Sequence, residues 1–229
     1  MSTPKRFTNG VTNVASDKPM GQLLIPDPTS VHTFFEDFDR YAAGDWTVTE
    51  TDAGATQALA DGDGGQLLIT NTAADDDLVG IQLAKESFTL ESGKKAWFTA
   101  RIKGSDATQM DWLVGLHVTD TSPIASAPSD GVYFRKDDGD TNIDIAVVAS
   151  SATVAEVNGI ATATTGFVRL DIYFDGVDTI HYFVDGVEIG TIETTSFPTT
   201  ELNVSFAVQN GEAVAKTLTV DWIGAVKER

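Results

Sequence analysis

From Thr33 onward, apolar and polar residues alternate with a period of two along most of the chain. Met110, Trp112, Val114, Leu116 and Val118 share one face of such a run, with Asp111, Gly115 and His117 on the other. Val168, Leu170, Ile172 and Phe174 alternate with Arg169, Asp171 and Tyr173, and Leu202, Val204, Phe206 and Val208 with Asn203, Ser205, Ala207 and Gln209. Near the end, Leu218, Val220, Trp222, Gly224 and Val226 fall into one phase. A period of two is the signature of strands with one buried face. Several outward positions are small or apolar, which predicts a partly covered second face. Turn residues punctuate the runs. Asp175-Gly176 and Asp185-Gly186 bracket Thr179–Val184 as a meander of hairpins. Glycine and aspartate separate Gln66–Thr70 from what precedes it, and Val132–Lys136 from Ile143–Ser150. The stretches 51–60 and 120–128 read as loops, and no helix of length is expected. About a dozen strands with polar turns predict an all-β, two-sheet antiparallel β-sandwich.

Residues 1–32 follow another pattern. Pro4, Pro19, Pro26 and Pro28 with Gly10 and Gly21 interrupt polar sequence, and neither helical nor strand periodicity develops. The reading is an extended N-terminal arm over 1–32 preceding a sandwich over 33–229. The charge divides with it. The whole chain of 229 residues carries −19, but the arm sets Lys5, Arg6 and Lys18 against Asp17 and Asp27. A strongly acidic body speaks against nucleic acid and anionic membrane surfaces as partners, because both are met with clustered cations. There is no cysteine, which excludes disulfides and thiolate chemistry. No apolar run reaches the roughly 18 residues that span a bilayer, and the opening residues show no secretory-signal pattern.

Three stretches carry a resemblance. Phe34 to Asp39 followed by Trp46-Thr47-Val48, the pair Val168 to Gly176 and Ile180 to Ile189, and the closing Leu218 to Ile223 resemble strands of the concanavalin A-like lectin/glucanase jelly roll, also called laminin-G-like. The resemblance implies a last strand that returns beside the first. It specifies a fold shared by many activities. In style, with a polar arm, no cysteine and an acidic sandwich, the chain is also similar to tailed-phage capsid decoration (cement) and head-fibre proteins.

Candidate chemistry is sparse. Retaining glycosidases hold two carboxyl groups about 5–5.5 Å apart. In the laminarinase-type branch of the resembled fold they share one strand as Glu-x-Asp-x-x-Glu or Glu-x-Asp-x-Glu. The nearest imitation here is Asp140 and Asp144, without a glutamate, so no catalytic residue is expected. Asp61, Asp63, Asp137 and Asp140 are calcium candidates set against plain Asp-Gly turn chemistry, and the expectation is no cofactor. His32, His117 and His181 form no zinc or triad pattern. Trp97 alternates away from Phe98, Ala100 and Ile102, so it is a candidate for glycan or protein contact, with Tyr133 and Tyr182. Trp112 and Trp222 share faces with aliphatics and are expected in the core.

The expectation is a non-enzymatic structural protein of the virion surface. It would be made in the host cytoplasm and would decorate or cement a capsid. Its arm would contact the major capsid protein or other virion subunits through Lys5, Arg6, Phe7, Val11, Val14, Leu23, Leu24 and Ile25, with homo-oligomers adding avidity. The alternative is a lectin-like, carbohydrate-binding module for host or surface glycans. A glycosidase ranks third.

Overall fold

The structure is a computed structural model that describes residues 28–62 and 64–229. The arm residues named above from Lys5 to Ile25 lie outside the described residues, as does Asp63. Fifteen strands follow in order: β1 (Val31–Glu36), β2 (Trp46–Glu50), β3 (Thr56–Ala60), β4 (Gln66–Thr70), β5 (Leu78–Leu83), β6 (Ala96–Gly104), β7 (Met110–His117), β8 (Gly131–Lys136), β9 (Asn142–Ala149), β10 (Ala152–Thr162), β11 (Val168–Phe174), β12 (Thr179–Val184), β13 (Val187–Glu193), β14 (Asn203–Asn210) and β15 (Thr217–Glu228). One sheet has eight strands, in the order β13-β12-β11-β6-β15-β4-β3, with β1 beside β15. The other has seven, in the order β10-β9-β8-β7-β14-β5-β2. Every pairing is antiparallel. The last strand does return beside the first, Thr33 lying opposite Val226.

The core lies between the sheets. Phe98, Ala100 and Ile102 of β6 and Leu170, Ile172 and Phe174 of β11 face Val114 and Leu116 of β7 and Val204, Phe206 and Val208 of β14, all buried. These are the residues whose alternation predicted the strands. Residues 56–60 form β3 against β4, where a loop was expected. This edge strand is largely exposed, so burial imposes little alternation on its sequence.

Two features depart from simple alternation. In β15 a bulge at Asp221 shifts the register between Val220 and Trp222. Leu218 and Val220 point inward before it, and Ile223 and Ala225 after it. An extra residue reverses the side-chain phase. Trp222, expected in the core, therefore lies on the outer face, half-buried. The second departure is the covered outer face of the seven-stranded sheet. Asn203, Ser205, Ala207 and Gln209 are buried although they face away from the core. The segment between β7 and β8 straps across this face. Its Ile124 packs on Leu113, Tyr133, Ala146 and Val148, and Gln82 clamps it by exchanging hydrogen bonds with the backbone of Asp120.

Candidate functional site

Among the described residues the more open face is the outside of the eight-stranded sheet, and cross-strand register places its side chains in rows. In β6, Ala96, Phe98, Ala100 and Ile102 point inward, so Trp97, Thr99, Arg101 and Lys103 point out. In β11 the outward set is Arg169, Asp171 and Tyr173. One row runs Thr33, Val226, Trp97, Tyr173, His181. The next runs Phe35, Gly224, Thr99, Asp171, Phe183. A third sets Trp222, Arg101 and Arg169 side by side. Between them lies a trough of about 790 Å³.

The first row is an aromatic platform. Trp97 and Tyr173 stack with ring centroids 5.4 Å apart and planes 26° apart, and His181 follows 5.4 Å from Tyr173. Trp97 keeps 38% of its surface exposed. The Nδ1 of His181 lies 2.7 Å from Glu188 Oε1. On the outermost strand, Phe35 is 61% exposed. Its ring lies over Gly224, where a Cβ would come within 2.8 Å of Phe35 Cδ2. The glycine keeps the trough floor open and lets β1 lie close.

The polar part is a compact pair. Asp171 Oδ1 accepts from Thr99 Oγ1 at 2.6 Å and from Arg169 Nε at 2.9 Å. Arg169 is half-exposed, whereas the Asp171 side chain is mostly buried. The backbone N–H of Arg169 donates to Asp185 Oδ1 in the hairpin turn after β12. Arg101 is ion-paired with the buried Asp221 of the bulge. Its guanidinium lies 4.2 Å from the Phe167 ring centroid and 5.4 Å from that of Trp222. The bulge that turns Trp222 outward thus also builds the cationic side of the site.

Of the aromatic candidates read from the sequence, only Trp97 reaches this surface. Tyr133 and Tyr182 are inside, at 1% and 5% exposure. Tyr133 sits under the strap, and its phenol is pushed up to about 12, chiefly by burial. Tyr182 faces the core beside Gly190, where a Cβ would come within 2.4 Å of its hydroxyl oxygen. Asp61, Asp137 and Asp140 lie on exposed loops. Asp137 pairs with Arg135, and Asp140 accepts from the backbone N–H of Asn142. Among the described residues no three histidine, aspartate or glutamate side chains come together to hold a metal ion. Sequence reading placed Tyr173, Asp171 and Arg169 on one face of β11 but did not bring them to Trp97. That required the register between β11 and β6.

A smaller recess of about 500 Å³ opens at the edge of the strap, lined by Asp76, Asp111, Ile124, Asp138 and Gln209 among others. Burial, with lesser repulsion from Asp138 and Asp137, pushes the Asp111 carboxyl up to about 6. No aromatic side chain lines it. No described strand carries two carboxylates two or four residues apart. Only β13 and β15 carry two, five and seven residues apart.

No family model matches the chain, and no curated protein matches it. Solved structures do. A protein of unknown function from Shewanella oneidensis MR-1 aligns at TM-score 0.63 and 14% identity, covering 97% of each chain. The endo-1,3-beta-glucanase from Streptomyces sioyaensis aligns at TM-score 0.64 and 14% identity, covering 90% of this chain and 99% of that one. The carbohydrate recognition domain of Emp47p aligns at TM-score 0.60 and 11% identity, covering 87% and 98%. The fold is the concanavalin A-like lectin/glucanase jelly roll. At these identities the likeness is one of fold, and activity has to be argued from the site.

Proposed function

We propose that this jelly roll is a carbohydrate-binding module without catalytic activity, and that the glycan lies in the trough of the eight-stranded sheet. The observation that carries the reading is the exposed Trp97–Tyr173 stack beside the Asp171–Arg169 pair. A pyranose offers an apolar face to an aromatic ring and hydroxyls at its rim. A mostly apolar concavity with a few fixed polar groups is the usual form of a small-ligand site. The named neighbours, a glucanase and a carbohydrate recognition domain, support the same class of ligand. The non-catalytic part draws on the strands, none of which places two carboxylates at the even spacing that aims both into one groove.

Titrating the chain with a panel of oligosaccharides, followed by tryptophan fluorescence and calorimetry, tests this reading. Trp97→Ala is expected to weaken binding on the order of tenfold, the loss of one good stacking contact, and, because Trp97 is also packed on Tyr173, to lower the melting temperature by a few degrees while the chain stays folded at the assay temperature. Equal binding by Trp97→Ala and the parent chain would remove the trough from consideration.

The virion-surface role comes second. One observation favours it: tryptophan, tyrosine and arginine together are also the residues that dominate protein–protein contacts. Under that role, deletion of residues 1–32 abolishes attachment to particles, whereas a glycan-binding trough keeps its ligand. Full decoration by the truncated chain would sink the arm-mediated role.

A further inference from the structure

We infer that the trough takes the interior of a neutral glycan chain, and that Asp171 sets this choice by occupying Arg169. The inference rests on the binding reading above and names its ligand class.

Shape argues for a chain interior. The trough crosses β1, β15, β6, β11 and β12. At the usual strand spacing of about 4.8 Å, four intervals span roughly 19 Å, longer than one sugar. At one end the sheet stops at Phe35, which lies over Gly224, and at the other the lining includes Gly186.

Charge argues for neutrality. Among the described residues the lining contains one cation, Arg169, and its Nε is already held by Asp171. The neighbouring Arg101 is held by Asp221. Both of these guanidinium groups are thus paired with a carboxylate. Asp171 Oδ1 takes both Thr99 and Arg169, and Oδ2 accepts no hydrogen bond from the described residues. Oδ2 is therefore an acceptor for a sugar hydroxyl, while the Nη groups of Arg169 remain donors for its neighbour. A uronate placed there meets Asp171 as a like charge, on a chain that carries −19 overall. Asp171 is thus a specificity residue: it answers hydroxyls and rejects carboxylates.

The test compares two ligand series by calorimetry on the full chain: β-1,4-glucose oligosaccharides and β-1,4-glucuronate oligosaccharides of equal length. The neutral series is expected to bind with affinity rising with length to a plateau. The uronate series is expected to be about tenfold or more weaker at low salt, with the gap narrowing as salt screens the repulsion. Asp171→Asn frees Arg169 and removes the repelling charge, so uronates gain about tenfold relative to neutral chains. Arg169→Gln, at a half-exposed position that folding tolerates, widens the gap. Uronates binding as tightly as neutral chains, or a neutral-to-uronate ratio unmoved by both variants, would overturn the inference while leaving the binding reading intact. Failure of both series and of the wider oligosaccharide panel would overturn the binding reading itself.

Discussion

His117 and Asp111 lie on the same face of β7, and burial moves their proton affinities in opposite senses of charge. Burial pushes the His117 imidazole down to about 4, with its Nδ1–H donating to the Val118 carbonyl and its Nε2 meeting no partner among the described residues. Its folded value lies below the ordinary 6.5, so the unfolded chain takes up the proton first. Its contribution to stability therefore declines as pH falls from 6.5 toward 4, by roughly 3 kcal/mol. Asp111 runs the other way. Its folded value, about 6, lies above the ordinary 3.8, so the folded chain gains its proton first. That contribution grows as pH falls through 6 and is complete below 3.8. The two windows overlap and partly cancel. Urea denaturation between pH 7 and pH 4 should show little change from these two groups in the parent chain, a clear decline in Asp111→Asn and a rise in His117→Gln. Parallel curves for the parent chain and Asp111→Asn would contradict this account.

Among elements, β15 sets the geometry of the trough. It pairs with β6 along its length, with β4 over its first half and with β1 over its second. The bulge at Asp221 separates the halves and turns Trp222 outward beside Arg101. Gly224 then forms the floor. A methyl group there would press on the Phe35 ring at 2.8 Å and on the Phe34 carbonyl oxygen at 3.0 Å. Gly224→Ala is therefore expected to push β1 away and partly fill the trough. Overpacking of this kind costs about 2 kcal/mol, or roughly 5 °C in a domain of this size. Scanning calorimetry should show that loss together with weakened glycan binding. An unchanged melting temperature would mean that β1 is not packed as described.

The whole molecule is set by its two sheets and its charge. With −19 spread over a small body, like charges repel across the surface. The ion pairs are mostly at the surface, as between Lys94 and Glu91, and surface pairs contribute little. Repulsion should therefore outweigh pairing. Raising ionic strength from about 0.01 M to 0.15 M shortens the screening length from about 30 Å to 8 Å and is expected to raise the melting temperature by a few degrees. A fall would show that the pairs dominate. The same salt series, read on binding, reports the charge discrimination attributed to Asp171.

By itself the sequence determined which side of most strands faces the core. Alternation in β6, β11 and β14 is imposed by burial, and a one-residue slip would turn every apolar side chain out. It also determined the turns, because Asp185 and Gly186 both take positive φ, a conformation that aspartate tolerates and glycine adopts freely. Trp97 was legible as an outward residue for the same reason. Tertiary structure alone decided the rest. The bulge at Asp221 was invisible because Trp222 and Ile223 are both apolar, so either phase of β15 reads as a strand. The strap over β14 was invisible because a loop's composition does not say which face it covers, and that cover is what buries Tyr133. The site itself consists of residues far apart in the chain, Phe35, Trp97, Asp171 and Gly224, aligned by cross-strand register. Register is a property of pairs of strands, and no single stretch of sequence contains it.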